Sequence, residues 1–392
     1  MHPHPRVAIV GGGPGGLTLA RILHVHGIEA RVFERDAHEL ERPQGGTLDL
    51  HEESGLHALD AAGLREAFLP IARYEDQGTR LLDKHGRVLF EDDDAGAGNR
   101  PEADRTALRS LLLRSLPAEC VQWGRVVREV QAIADGRWTI AFDDAVEGPF
   151  DLVVGADGAW SRVRPLLSSY KPQYSGLTFI EFGIDDIDRR HPALSALVGR
   201  GKAGIEGDGK EIIAQRNGNA HVRGYAIFRV PTEWAALRFH LDDPALLREE
   251  LIGEFDGFAP AVLDLFRAAN DHFVARHIHA LPAGHCWNHR RGLTLIGDAA
   301  HVMSPFGGEG VNAAMLDAAE LARAIVGQAD VDAAVAEFEA RMFARVEGIA
   351  TEAAEAAATL LSHDGHALTV ETYRAHQAAR AHEHAIAPSA AC

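Results

Sequence analysis

Residues 6–36 read RVAIVGGGPGGLTLARILHVHGIEARVFERD, and this stretch decides the fold. A short apolar run precedes the glycines, a helix-like segment follows them, and a second apolar run comes after Gly27. Strand, glycine-rich turn, helix and strand in this order are typical of the first unit of a parallel nucleotide-binding sheet. The sequence therefore predicts an α/β fold that contains a Rossmann-like domain.

The glycines of this stretch have the spacing of a dinucleotide-binding turn. Gly11 allows the tight turn, Gly13 lets the backbone approach a pyrophosphate, and Gly16 lets the helix pack closely on the strand. The pyrophosphate then lies at the helix N-terminus, where N–H groups and the dipole favour negative charge. Glu34 comes 18 residues after Gly16, where an acid that binds ribose hydroxyls is expected. The alternative is a simple glycine-rich turn beside a surface glutamate.

Two further motifs follow buried apolar runs later in the chain. GADGAWSRVR spans 155–164, and GDAAH spans 297–301 and leads into a glycine-rich turn at 305–312. Asp157 and Asp298 would each stand at the end of a strand, where a carboxylate can bind cofactor hydroxyls. For Asp157 alone, capping of the following helix is an alternative. Three such sites in one chain predict a single bound dinucleotide.

A length of 392 residues suggests two domains. We predict a nucleotide-binding domain in two parts, at 1–171 and 291–330. Between them, at 172–290, alternating runs such as EIIAQ and HVRGYAIFRV predict a substrate-binding domain with a mostly antiparallel sheet. An alanine-rich tract predicts a long helix in a C-terminal helical segment at 331–392.

The charge balance limits the partners of this chain. It has 39 basic and 57 acidic residues and a net charge of −18. Nucleic acids and anionic membranes need a basic surface, so we expect neither as a partner. No stretch approaches the ~18 apolar residues of a membrane span, and no signal-like segment is evident. A small molecule is the expected partner, with a cytoplasmic location.

Cysteines and histidines indicate neither a disulfide framework nor a metal site. Three cysteines are too few for such a framework and lack metal-site spacing, so we expect inert thiols. The histidines near the C-terminus also fit no strict ligand pattern, and we expect no metal. These residues are Cys120, Cys286, Cys392, His363, His366, His376, His382 and His384.

Taken together, the three motifs resemble those of the class A flavoprotein aromatic hydroxylases, over about residues 1–350. GGTLDLH (45–51), PEADRTALRSLLLRSL (101–116), VPTEW (230–234) and GDAAHVMSPFGGEGVN (297–312) are similar in particular to the tetracycline-inactivating flavin monooxygenases. The resemblance implies bound FAD and a transient nicotinamide nucleotide, NADPH or NADH. NADPH is preferred on the resemblance alone.

The resemblance also implies roles for individual residues. The ADP half of FAD would lie on the first glycine turn, and the flavin ring would face Pro305, Gly308, Gly310 and Asn312, with no side chain as catalyst. Arg229 and His51 would contact the substrate. The implied cofactor residues are Gly11, Gly13, Gly16, Glu34, Arg35, Gly46, Thr47, Leu48, Asp49, Arg105, Asp157, Gly158, Asp298, Pro305, Gly308, Gly310, Val311 and Asn312. His301 is expected to begin a helix or to line the cofactor.

The implied reaction is a hydroxylation. NAD(P)H would reduce FAD, O₂ would add to the reduced flavin as a hydroperoxide, and one oxygen atom would enter a small aromatic or polycyclic substrate. A phenol, a polyketide and a tetracycline-like antibiotic are all candidates. One alternative is an FAD-dependent oxidase or dehydrogenase on the same fold. The other is a non-catalytic nucleotide-sensing module, which would need only the first motif. We expect a monomer.

Overall fold

The computed structural model describes residues 5–41, 45–93, 100–362, 367–375 and 377. It divides the chain into two compact units, each assembled from separate segments. Over the described residues, the first unit draws on Met1–Ala72, Asn99–Gln173 and His279–Glu355. The second unit draws on Arg73–Gly98, Tyr174–Ile278 and Ala356–Cys392.

The structure has strands at the predicted apolar and alternating runs and at further places in the chain. In chain order they are β1 (Val7–Val10), β2 (Ala30–Phe33), β3 (Thr47–Asp49), β4 (Thr79–Asp83), β5 (Val88–Asp92), β6 (Glu102–Asp104), β7 (Val121–Gln122), β8 (Glu129–Ala132), β9 (Trp138–Ala141), β10 (Val146–Phe150), β11 (Leu152–Gly155), β12 (Gln173–Ile184), β13 (Lys202–Gly207), β14 (Lys210–Arg216), β15 (Val222–Arg229), β16 (Val274–Ala280) and β17 (Leu293–Leu295).

The helices include the predicted long alanine-rich one, which is α12. In chain order they are α1 (Pro14–Val25), α2 (His57–Ala61), α3 (Arg65–Phe68), α4 (Arg105–Arg114), α5 (Ile187–Arg190), α6 (Pro192–Val198), α7 (Trp234–Arg238), α8 (Pro244–Glu254), α9 (Pro260–Arg267), α10 (Asp298–His301), α11 (Glu309–Gly327) and α12 (Val331–Thr359). A π-helical segment, Glu52–Leu56, precedes α2, and short 3-10 turns occupy Leu69–Ile71, Ala118–Cys120 and Arg164–Leu166.

A five-stranded sheet forms the centre of the first unit. Its order is β17-β11-β1-β2-β7, and each neighbouring pair is parallel. The runs VAIV and LVVG are buried along their whole length, as expected for strands covered on both faces. Helices α1 and α11 pack together closely, since a Cβ on Gly15 would come within 2.9 Å of the Ala314 carbonyl oxygen. The predicted Rossmann-like fold is confirmed.

A seven-stranded sheet forms the centre of the second unit. Its order is β16-β12-β15-β14-β13-β4-β5. The pairs between β12 and β15, β15 and β14, and β14 and β13 are antiparallel, whereas β13 and β4 are parallel. An aromatic core that includes Phe182, Phe228, Phe255 and Phe266 lies between this sheet and the helices of the unit. The mostly antiparallel second sheet is therefore confirmed.

The division into units differs from the predicted domain boundaries in two places. The sequence predicts residues 73–98 in the nucleotide-binding domain with the rest of 1–171, yet β4 pairs with β13 in the second sheet. The chain up to Glu355 belongs to the first unit, so most of α12 is not a separate segment. Both differences arise from contacts between residues far apart in the chain, which local patterns do not encode.

No helix among the described residues has the length and apolar character that a bilayer crossing requires. Cys120 is half-buried and Cys286 is exposed. Burial raises the pKa of the Cys120 thiol to about 11, which keeps it protonated and unreactive at neutral pH. Cys392 and the histidines at 363, 366, 376, 382 and 384 lie outside the described residues.

Candidate functional site

The three motifs meet at one edge of the five-stranded sheet. Strands β1, β11 and β17 are parallel neighbours, so the residues that follow them stand side by side. Gly11 has φ +109°, and a Cβ there would lie 2.3 Å from the carbonyl oxygen of Ala156. Only glycine fits this approach. Ligands of open parallel sheets bind at the carboxyl ends of the strands, and this edge is such a place.

The first turn has the shape that a pyrophosphate requires. A Cβ on Gly16 would lie 2.2 Å from the Gly11 carbonyl oxygen, so helix α1 approaches the turn closely. A Cβ on Gly13 would meet no described atom within 4 Å, which leaves open space at the start of α1. The first turn of α1 has no acidic residue, and no described side chain caps it. An anion fits there.

Glu34 is buried at the end of β2 and faces the glycine turn. Its Oε2 accepts a hydrogen bond of 2.7 Å from the N–H of Gly12, and its Oε1 accepts one of 3.0 Å from the N–H of Asp36. The carboxylate is thereby oriented beside the turn, where ribose hydroxyls are expected. The neighbouring Arg35 is exposed.

Arg109 is a site residue that the sequence analysis missed. Its buried guanidinium donates hydrogen bonds to the carbonyl oxygens of Gly12 (3.1 Å) and Glu39 (2.8 Å). It also lies 3.8 Å from the carboxylate of Glu34. Arg109 therefore fixes the glycine turn from outside. Its position one helical turn after Arg105, on α4, is a signal that could have identified it.

The implied cofactor residues of the segment 45–51 lie beside the start of α4. Strand β3 pairs with β6, so Thr47 is opposite Asp104 and Leu48 is opposite Ala103. The N–H of Arg105 donates a hydrogen bond of 3.2 Å to the carbonyl oxygen of Gly46. The structure thus brings Gly46, Thr47, Leu48 and Arg105 together.

Asp157 has one carboxylate oxygen in use and one without a partner. Oδ2 accepts a hydrogen bond of 2.7 Å from the N–H of Arg162, whereas the buried Oδ1 has no hydrogen-bond partner among the described residues. Burial raises the pKa of the carboxyl, although Ser161 and nearby N–H groups oppose the shift. The next residue, Gly158, has φ +79° and open space at its Cβ position. A ligand hydroxyl could satisfy the orphaned oxygen.

Asp298 begins α10, immediately after β17. Its side chain is exposed to solvent, yet the surrounding protein raises the pKa of its carboxyl by desolvation; His301, Arg105 and Arg164 oppose that shift. Exposure combined with desolvation is expected of a carboxylate inside a concave site. Arg164 donates hydrogen bonds to the carbonyl oxygens of Asp298 (3.4 Å) and Ala299 (3.0 Å). Arg164 of the second motif therefore holds the main chain of the third motif in place.

A buried network lies behind the third motif. The fully buried Asp317 accepts hydrogen bonds from the N–H of Gly297 (2.8 Å), Nε2 of His301 (2.6 Å) and Arg345 (2.8 Å). Burial by itself would raise the pKa of Asp317, but His301 and Arg345 bring it below its ordinary value. His301 accordingly supports the turn from behind.

The glycine-rich turn before α11 is held by Asn312, whose side chain is fully buried. The Asn312 amide oxygen accepts hydrogen bonds from the N–H groups of His51 (3.0 Å) and Gly55 (3.2 Å). Its amide nitrogen donates to the carbonyl oxygen of Asp49 (2.9 Å). Gly308 has φ +75°, and a Cβ there would lie 2.8 Å from Asp49 Oδ1. Asn312 thus positions the segment 49–55 against the turn.

The other residues predicted at this turn differ in exposure. Pro305 is exposed, Val311 is buried, and a Cβ on Gly310 would meet no described atom within 4 Å. An open surface beside main-chain N–H groups can face a planar ring.

The two residues predicted to contact the substrate have other surroundings. His51 is 1% exposed, and its ring nitrogens face the carboxylates of Asp49 and Glu309, so the imidazole does not lie open to a substrate. Arg229 lies in the second unit. Its guanidinium donates to the carbonyl oxygens of Ala357 and Leu360 at the end of α12. This contact caps the end of α12, and the implied contact of Arg229 with the substrate stays a prediction.

The second sheet carries a buried glutamate that binds two arginines. Glu181, which is buried on β12, accepts hydrogen bonds from both Arg223 and Arg276. Tyr225 lies opposite Glu181 on β15. Over the described residues, no group of three or more histidine, cysteine or acidic side chains is placed to hold a metal ion.

Comparison with known proteins gives a consistent set of similarities. The family model described as "FAD binding domain" matches residues 5–206 and 285–341. The monooxygenase penA of Penicillium thymicola is 36% identical over 365 residues, which cover 81% of this chain and 84% of that protein.

Two solved structures share the fold. HpxO of Klebsiella pneumoniae, complexed with FAD and uric acid, superposes with a TM-score of 0.79 at 22% identity and covers 96% of this chain and 93% of its own. The tetracycline destructase Tet(51) superposes with a TM-score of 0.69 at 20% identity and covers 94% and 96%, respectively.

Proposed function

The chain belongs to the FAD binding domain family of flavoprotein monooxygenases, and we propose that it uses NAD(P)H and O₂ to insert one oxygen atom into a small aromatic or polycyclic substrate. The observation that carries the proposal is the meeting of three motifs at the ends of β1, β11 and β17. A nucleotide-sensing module would need only the first of them.

The residues around this edge suit the parts of FAD. The open start of α1 at Gly13 would hold the pyrophosphate, and Glu34 the adenosine ribose. Asp298 would bind hydroxyls of the ribityl chain, and the orphaned oxygen of Asp157 another polar group of the nucleotide. When bound, FAD supplies the redox chemistry, accepting hydride and activating O₂.

The protein's own contribution is binding, orientation and exclusion of water. Asn312 and Gly308 hold the turn 305–312 against Asp49, which gives a rigid surface for the ring. The N–H groups of this turn would stabilise negative charge on the ring. No side-chain nucleophile is required, and we assign none.

For the substrate we propose a planar, electron-rich compound. The structural neighbours include one complexed with uric acid and one named as a tetracycline destructase, so ring compounds of different size fit this fold. On the second sheet, Arg223 is held by Glu181 near Tyr225, which offers a cation and an aromatic ring to a polar ring compound. We keep Arg229 as a candidate contact, to be tested below. We further propose a cytoplasmic monomer that prefers NADPH.

The experiment is a screen of NAD(P)H oxidation by the purified protein with candidate ring compounds, run under ¹⁸O₂. Bound FAD should give a yellow protein with absorbance near ~450 nm. A product that gains one ¹⁸O atom supports the monooxygenase. A dehydrogenated product with stoichiometric peroxide would show an oxidase instead, and a protein that stays colourless after FAD addition would contradict the proposal altogether.

A further inference from the structure

A buried imidazole stands between carboxylates beside the turn 305–312. His51 is 1% exposed, and its Nε2 lies 3.0 Å from Asp49 Oδ2. On the other side of the ring, Nδ1 lies 3.4 Å from Glu309 Oε1 and 3.9 Å from Glu53 Oε1. An imidazole that has a carboxylate at each nitrogen can pass a proton from one to the other.

The backbone holds these groups in place. Asn312 accepts a hydrogen bond from the N–H of His51 and donates one to the carbonyl oxygen of Asp49. Glu309 is the first residue of α11, and Gly308 beside it packs against Asp49. The group Asp49, His51 and Glu309, called here the relay, is therefore fixed to the turn proposed to face the flavin ring.

The two ends of the relay reach solvent, whereas its centre does not. The side chains of Asp49 and Glu309 are 33% and 31% exposed, respectively. Burial raises the pKa of Glu309, and so do Asp49 and Glu53, whereas His51 and Arg100 oppose the shift. Among the described residues, these are the charged groups that act on the Glu309 carboxyl. Glu309 is therefore suited to hold a proton closer to neutral pH than an ordinary glutamate does.

We propose that Asp49, His51 and Glu309 carry the proton that the reaction takes from solvent. Glu309 gives its proton to Nδ1 of His51 while the Nε2 proton passes to Asp49. One O–H and one N–H bond break and one N–H and one O–H bond form; the ring is a cation while both nitrogens carry a proton, and it ends neutral in its other tautomer. Asp49 passes the proton on to the reaction, solvent reprotonates Glu309, and rotation of the imidazole restores its starting arrangement before the next transfer.

The need for such a path rests on the proposed function. When one atom of O₂ enters the substrate, the other leaves as water, and NAD(P)H supplies only a hydride. One proton must therefore come from solvent in each turnover. The same holds without substrate, because reduction of O₂ to hydrogen peroxide by NAD(P)H also consumes one proton. The relay can thus be tested before the substrate is known.

The test compares His51→Asn and Glu309→Gln with the control Glu52→Gln in the FAD-loaded full chain. Glu52 is a half-exposed neighbour that pairs with Arg65 outside the relay. NAD(P)H oxidation is followed from pH 5 to 9, in H₂O and in D₂O. We expect both relay variants to be at least tenfold slower, with altered pH profiles and FAD affinity within twofold, and the control to match the wild type. Imidazole added to His51→Ala should restore part of the rate.

Two outcomes overturn the relay in an active enzyme. One is a His51→Asn variant with the rate, pH profile and isotope effect of the wild type. The other is an equal loss of the NAD(P)H oxidation rate in His51→Asn, Glu309→Gln and the control Glu52→Gln, with no recovery when imidazole is added to His51→Ala. A wild-type protein that binds no FAD or oxidises no NAD(P)H would contradict the proposed function instead. In that case, ¹⁵N NMR of His51 still tests the relay. The chemical shifts of its ring nitrogens should change with pH as Glu309 ionises in the wild type, but not in Glu309→Gln. Wild-type shifts that do not change with pH refute the relay.

Discussion

Glu34 accepts a hydrogen bond of 2.7 Å from the N–H of Gly12, inside the turn proposed to hold the FAD pyrophosphate. Replacing Glu34 by alanine removes the acceptor of that N–H and also the carboxylate proposed to bind the ribose hydroxyls, and hydrogen bonds to a charged group contribute about 1.5–3 kcal/mol. We therefore expect Glu34→Ala to weaken FAD binding roughly tenfold to a hundredfold. Flavin fluorescence during dilution measures the change. Glu34→Gln keeps a hydrogen-bond acceptor, so its FAD affinity should lie between those of the wild type and Glu34→Ala. Unchanged FAD occupancy in Glu34→Ala would contradict the assignment.

Arg109 should contribute more to the free energy of unfolding than an arginine on the surface of a helix usually does. Arg109→Met leaves Glu34 and the Gly12 carbonyl without a buried cation, a change that typically costs about 3–5 kcal/mol. We expect a large loss of unfolding free energy in urea, which added FAD partly restores. Arg114→Met is the matched control, because Arg114 is exposed on the same helix. Equal stabilities of the two variants would show that the Arg109 contacts are unimportant.

Glu211 gives the second unit a predictable dependence on pH. Burial, and then the nearby Glu206, raise the pKa of Glu211 to about 8. Because this folded-state value exceeds the ordinary 4.5, the stabilisation is complete below pH 4.5 and is lost as the pH rises through about 8.

Glu211→Gln keeps the neutral shape of the acid, so it should remove this loss. At pH 9 we expect the variant to be more stable than the wild type, by an amount on the order of 4 kcal/mol, and below pH 4.5 to be equal to it. Thermal unfolding measures both. Glu249→Gln, on the exposed face of α8, serves as the control. A wild-type protein whose stability is flat between pH 5 and 9 would refute the prediction.

Arg229 can be assigned by comparing stability with substrate affinity. As a helix cap, Arg229→Ala should lower the unfolding free energy by about 1–2 kcal/mol, because carbonyl oxygens at the end of α12 lose a charged donor. As a substrate contact, it should raise KM more than it alters NAD(P)H oxidation without substrate. Calorimetry and steady-state kinetics on one preparation distinguish the two roles. An unaltered melting temperature would exclude the cap.

Much of this molecule follows from local patterns in its sequence. Short buried apolar runs that end in glycine predicted β1, β11 and β17, and their motifs indicated that they would meet. Residues whose role depends on partners far away in the chain could not be predicted in this way. Arg109 follows Arg105 by one helical turn, which indicates the same face of α4, but its contact with the Gly12 carbonyl joins residues 97 positions apart. The resemblance alone implies a substrate role for His51, and its neighbours in the chain do not show that Glu309 stands at its ring.

The position of β17 has a consequence for how the protein is made. The other strands of its sheet all lie before residue 156, but β17 spans Leu293–Leu295 and is the outermost strand, next to β11. During synthesis, the early strands must wait for more than a hundred further residues before their last neighbour emerges from the ribosome. Until then one side of β11 is open to wrong partners, so chaperones that shield nascent strands should favour a high yield of this protein.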